Sequence, residues 1–184
     1  MKENVIQPKI RAIIGLGNPG PKYYRTRHSI GFRILDELAQ RYDAVWREKD
    51  EMAYSNIIIG EEPVTLIKPQ TFMNSSGKVI PGLLKRGIKA ENILVVHDEL
   101  ELPFGSLRFK VGGSHRGHNG LRSIIDVCGK DFIRLRFGIG RPREGEVPID
   151  QYVLAIFKEP QHEVEELISQ AIAMLEEVLR NHSI

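Results

Sequence analysis

The stretch Ile93-Leu94-Val95-Val96 is apolar at every position. A strand with one wet face would alternate, so a run like this reads as a strand covered on both sides. That feature calls for helices above and below a sheet, and the rest of the chain offers them. Strands are expected at 10–16, 53–59, 63–68, 92–97, 106–111 and 133–139, with Gly60-Glu61-Glu62 as a hairpin loop. Helices are expected near 29–42, 75–86, 117–128 and 161–180. In the last, Val164, Leu167, Ile168, Ala171, Leu175 and Val178 form one stripe at helical spacing. Gly87 is well placed to end the second. Alternating strands and helices define the α/β class, with a mixed or parallel sheet covered by helices. The 184 residues suit one core and a single domain, 1–184.

Composition matters mainly for what it excludes. No segment approaches the roughly 18 apolar residues a membrane helix needs. The opening MKENVIQPKI has no apolar leader core. The single cysteine, Cys128, cannot form an internal disulfide or a cysteine-based zinc cluster, which fits a reducing, cytoplasmic setting. Net charge is only +2, but from Leu102 to Arg143 there are nine Lys or Arg against Asp126 and Asp131 alone. Within that stretch, Arg108 and Lys110 alternate with Leu107, Phe109 and Val111. Arg134 and Arg136 alternate with Ile133, Leu135 and Phe137. Each strand therefore buries one side and presents cations on the other. A sheet face bearing Arg108, Lys110, Arg134 and Arg136 suits a phosphate backbone, although a solvated face explains the charge equally well.

Four short motifs carry candidate chemistry. Gly15-Leu16-Gly17-Asn18-Pro19-Gly20 matches the dinucleotide-binding pattern G-x-G-x-x-G after a strand. Pro19 interrupts it, however, and no helix opens on its last glycine, so a tight loop presenting Asn18 is the better reading. Thr26-Arg27-His28-Ser29 places a histidine, the usual base near neutral pH, at a helix start. His97-Asp98-Glu99-Leu100 ends the buried strand, where ligands of open α/β sheets gather, and Asp98 is a suitable partner to orient His28. Asn74 and Asn119 each precede a helix, where an N-cap is the plain reading and an uncharged hydrogen-bonding role the sharper one. His28, His97, His115, His118, Asp98 and Glu99 are metal-ligand types without metal-ligand spacing, and no G-x-S-x-G elbow is present.

Taken in order, these motifs resemble the bacterial-type peptidyl-tRNA hydrolases. The resemblance is carried by Gly15 to Gly20, Tyr23, Thr26-Arg27-His28, Thr71-Phe72-Met73-Asn74 with Ser76-Gly77, His97 to Leu100, Gly117 to Leu121, and Arg134 to Gly140. It implies a monomeric α/β fold with a twisted mixed β-sheet flanked by helices on both faces. It implies hydrolysis of the ester between a peptide and the 3′-terminal ribose of tRNA, recycling tRNA from prematurely released peptidyl-tRNA, with no metal or organic cofactor. Under it His28 is the base, Asp98 orients it, and Asn18, Asn74 and Asn119 position substrate and water. Tyr23 and Met73 line the pocket, and Lys110 and Arg136 clamp phosphates of the acceptor stem. Ser29 departs from the asparagine common in the family after the histidine. The rival readings are a non-catalytic RNA-binding protein and a nucleotide-binding oxidoreductase.

Overall fold

A computed structural model describes residues 8–184; Met1–Gln7, and with them most of the segment examined for a leader, lie outside the described residues. Seven strands form one sheet: β1 (Ala12–Gly15), β2 (Arg47–Lys49), β3 (Met52–Ile59), β4 (Glu62–Pro69), β5 (Ile93–Glu99), β6 (Leu107–Val111) and β7 (Ile133–Gly138). Their order is β2-β3-β4-β1-β5-β7-β6. The central pairs β4–β1, β1–β5 and β5–β7 are parallel, while β2–β3, β3–β4 and β6–β7 are antiparallel. The sheet is therefore mixed.

Helices cover both faces. On one lie α1 (Ile30–Arg41) and α5 (Gln161–Asn181), packed on Ile13, Leu94, Val96, Leu135 and Phe137. On the other lie α2 (Ile80–Lys85) and α3 (Asn119–Cys128), packed on Ile14, Ile93, Val95 and Phe132. Leu94 and Val96 thus join one core and Ile93 and Val95 the other, as a strand apolar on both sides requires.

Two segments differ from the sequence expectation. The helix expected over 75–86 is a 3-10 stretch, Met73–Val79, followed by only six α-helical residues. Pro81 lies in the first turn of α2, where its missing N–H costs nothing, but it removes a donor from any longer α-helix. A short helix α4 (Ile149–Val153) and the strand β2 had no periodic signal: α4 is a single turn after Pro148, and β2 is exposed Arg-Glu-Lys on the sheet edge.

The Gly15-to-Gly20 motif serves packing. A Cβ on Gly15 would lie 2.5 Å from the carbonyl oxygen of Gly31, and one on Gly31 would lie 2.5 Å from the Leu16 nitrogen and the Val96 oxygen. Helix α1 therefore rests backbone to backbone on β1 and β5. This close approach sets the turn that precedes α1 directly over the carboxyl ends of those strands.

Candidate active site

That turn is a 3-10 turn, Arg27–Ser29, and its central residue is His28. The imidazole Nδ1 lies 3.0 Å from both carboxylate oxygens of Asp98, the penultimate residue of β5. An ionised carboxylate only accepts, so Nδ1 carries the proton and donates. Nε2 is then the nitrogen with a free lone pair, on a ring that lines a cleft of about 340 Å³.

A third group completes the arrangement. His118, the residue before α3, accepts at Nδ1 from the backbone N–H groups of Gly120 (3.1 Å) and Leu121 (3.3 Å). Its proton must then sit on Nε2, which donates to Asp98 Oδ1 at 2.9 Å. One side chain thus caps a helix and holds the carboxylate. Asp98 is 2% exposed and receives hydrogen bonds from two imidazoles. Burial alone would raise its pKa, but the charges of His28 and His118 and their hydrogen bonds outweigh this and hold it far below the ordinary carboxylate range. For His28, burial disfavours the imidazolium; the charge and hydrogen bond of Asp98 prevail and raise its pKa above the usual value.

His97 points to the other side of β5 from Asp98, as alternation requires, and sits under His118 with ring centroids 5.2 Å apart. Its Nδ1 donates to the Asp98 carbonyl oxygen at 2.7 Å, and its buried Nε2 has no partner. Burial first, and the neighbouring His118 second, push its pKa down to about 3.

The remaining expected residues divide. Asn119 lines the same cleft as His28, Asp98 and His118. Asn18 is buried: its side-chain oxygen accepts from the Met73 backbone N–H at 2.8 Å, and its own backbone N–H donates to Ser29 Oγ at 3.1 Å. Ser29 therefore ties the Asn18 loop to the His28 turn. Met73 is buried against Gly120. Asn74 is exposed and Tyr23 meets Phe72 edge to face at 6.5 Å; neither lines the cleft. The rest of the cleft wall includes Leu100, Ile149 and Val153.

Of the four cations on the alternating strands, one requires correction. Arg134 is 3% exposed, and its guanidinium donates to the carbonyl oxygens of Gly113 and Ser114, holding the loop before α3. It is not free for phosphate, because both terminal nitrogens are taken by those carbonyls and the buried Nε, which has no partner, is closed off from solvent. Arg108, Lys110 and Arg136 remain on that side, with Arg108 directly opposite Arg136 across the β6–β7 pair. Arg136 lies 3.7 Å from Glu99. These residues lie outside the cleft that holds His28.

His28, Asp98 and His118 also offer one ligand atom each, all within 4.8 Å of one another, which makes them the metal-ligand cluster found among the described residues. A cation there would displace the two ring protons that now bridge to Asp98. The tautomers assigned above describe a satisfied hydrogen-bond network instead.

The family model for peptidyl-tRNA hydrolase matches residues 12–183. The chain belongs to the peptidyl-tRNA hydrolase family. Peptidyl-tRNA hydrolases of Syntrophotalea carbinolica and Sulfurimonas denitrificans are 42% and 44% identical, covering 93% and 92% of this chain and 91% and 90% of their own. The crystal structure of the Acinetobacter baumannii peptidyl-tRNA hydrolase superposes with a TM-score of 0.86 at 37% identity, covering 95% of this chain and 90% of that one. The chain is thus an enzyme of this family with the family's α/β fold.

His118 is the member of the His28–Asp98–His118 cluster to which the sequence assigns no catalytic role. Its signal in the sequence is the tripeptide His118-Asn119-Gly120 opening a helix, in which the asparagine is the more obvious polar candidate. No helix among the described residues is long and apolar enough to cross a membrane.

Proposed function

We propose that the chain hydrolyses the ester joining the peptide to the 3′-terminal ribose of peptidyl-tRNA, with a water activated by His28. The observation that carries this reading is the Nδ1 bond to Asp98, which commits the proton of neutral His28 to that nitrogen and leaves Nε2 to take one from water. Asp98, kept ionised by its two imidazole partners, fixes the tautomer and stabilises the imidazolium as it forms. His118 keeps the carboxylate in place. No covalent intermediate is required, since the nucleophile is water.

Under the same reading Asn119, on the cleft wall, holds the attacking water or the ribose end. Asn18 and Asn74 support the peptide's last residue, and Met73 and Tyr23 shape the path along which the peptide runs. Lys110 and Arg136 grip acceptor-stem phosphates, which position the substrate without reading its sequence. The whole chain acts as one domain and as a monomer, recycling tRNA in the cytoplasm without a metal or organic cofactor.

The test is release of an N-blocked aminoacyl group from tRNA, with excess EDTA, by wild type and His28→Ala. Fast release by wild type, loss of release by the variant and unchanged tRNA affinity in both support the reading. Full turnover by His28→Ala sinks the base assignment, and loss with EDTA alone sinks the metal-free mechanism. Tight tRNA binding without release by wild type would make the chain a binding protein.

A further inference from the structure

Arg27, the residue before His28, is 1% exposed, and none of the ion pairs among the described residues includes it. Burying an unpaired guanidinium is costly, and an apolar side chain of similar length would fill the space without that cost. The contacts explain what the cation adds. Its Nη1 donates to the Tyr152 carbonyl oxygen at 2.9 Å, at the end of α4. The guanidinium also lies over the Tyr152 ring, 3.9 Å from the centroid, with the Phe157 ring at 5.9 Å. Its backbone N–H donates to Ala155, and Thr26 bridges to Ile156. Tyr152 is itself anchored, its hydroxyl donating to Ile139 just past β7 at 2.6 Å.

The same short helix, α4, supplies Ile149, Asp150 and Val153 to the cleft that His28 lines. The two sides of the cleft are therefore joined behind it by one side chain. Arg27 starts beside His28 and ends on the wall formed by α4. Its Nη1 hydrogen bond sets the distance of that wall and the stack of its planar group on the Tyr152 ring sets the tilt, while the buried Nε has no partner; an aliphatic side chain would supply neither contact.

We propose that Arg27 is a positioning residue of the hydrolytic reaction, setting the α4 wall against His28 so that the substrate's peptide end is held at the working distance of the base. It touches neither substrate nor reacting atoms. The inference rests on the hydrolytic reading of His28 given above. Misplacement of a reacting group by about 1 Å can lower a rate roughly 100-fold. Grip on tRNA, by contrast, depends on phosphate contacts elsewhere.

The experiment compares wild type, Arg27→Met and Arg27→Lys in steady-state release of N-blocked aminoacyl groups. It is run well below each protein's melting temperature, with the Kd for uncharged tRNA measured alongside. The expected result is a kcat at least about 10-fold lower for Arg27→Met and partly recovered by Arg27→Lys, with Kd within about twofold of wild type. Tyr152→Leu is expected to lower kcat similarly, and adding it to Arg27→Met to cost little more, because the pair acts as one unit. A lowered Tm with unchanged kcat per folded molecule overturns the proposal, as does full additivity of the two substitutions. Should Arg27→Met fail to fold, Arg27→Lys, which keeps the charge but loses the planar stack on Tyr152, is read alone; unchanged kcat in that variant overturns the proposal equally. Absence of release by wild type overturns the hydrolytic reading and this inference with it, whereas active wild type and equally active variants overturn the inference alone.

Discussion

Acid sensitivity should be dominated by a residue that need not take part in chemistry. His97 is buried on the opposite side of β5 from Asp98, and its pKa is pushed down to about 3. In the unfolded chain it returns to roughly 6.5. Between these values the unfolded state binds a proton that the folded state refuses, so stability is full above the unfolded pKa and falls as pH drops. From about pH 6 to about pH 4.5, that single proton is worth roughly 1.4 kcal/mol per pH unit, or about 2 kcal/mol in all. Within this window His28, whose pKa is raised, is protonated in both states, and Asp98, whose pKa is lowered, stays ionised when folded. Urea unfolding at three pH values across the window, for wild type and His97→Gln, isolates the contribution. Wild type should lose about 2 kcal/mol more than the variant over that range. Equal slopes for the two proteins would refute the argument, because they would mean that His97 is protonated in the folded state at little cost.

Three further outcomes follow from the geometry. Lys110→Ala combined with Arg136→Ala should raise KM for peptidyl-tRNA and reduce the slope of log Kd against log salt by about 0.7 to 0.9 per lost contact; an unchanged slope removes the pair from the phosphate clamp. Glu99→Gln should tighten binding of uncharged tRNA by roughly two- to fivefold at low salt, because Arg136 no longer has Glu99 at 3.7 Å as a competing partner; unchanged or weaker binding in a filter assay counts against a phosphate role for Arg136. Gly31→Ala should destabilise the fold by about 1 to 3 kcal/mol, since its Cβ meets backbone atoms at 2.5 Å, while Gly82→Ala, in open space on α2, should be neutral or stabilising; thermal melts of both variants decide it.

Much of this site could be read before the fold was known, for identifiable reasons. The Ile93-to-Val96 run implied helices on both faces because burial of a strand leaves a plain compositional trace. Asp98 was legible because it closes that run, and His28 because a histidine at a helix start has few structural reasons to be there. His118 was harder: its capping of α3 and its bond to Asp98 depend on which ring nitrogen faces which neighbour, and that information exists only in three dimensions. Arg134 misled for a related reason. Alternation gives the side of the strand on which a residue projects, but not whether a loop folds over it, and here the carbonyls of Gly113 and Ser114 close on the guanidinium. Ser29 looked like a departure from the family pattern, yet its hydroxyl accepts from the Asn18 N–H and lies 3.4 Å from Thr26, which stitches two parts of the site together.

The place of β1 in the sheet has a kinetic consequence. It is the first of the described strands to leave a ribosome, and it ends in the middle of the sheet, with Ala12 level with Thr65 of β4 on one side and Ile93 of β5 on the other. At ~5–20 residues per second, the Ile93 segment follows Ala12 after roughly 4 to 16 s. During that interval Ala12-Ile13-Ile14 has no permanent neighbour on its β5 side, and its unpaired backbone is open to other chains. Nascent chains that stop short of Asp98 would carry this exposed centre and lack the carboxylate on which His28 depends. Pulse proteolysis of stalled chains of increasing length should therefore find protection of β1 arriving together with β5 rather than with the β3–β4 hairpin.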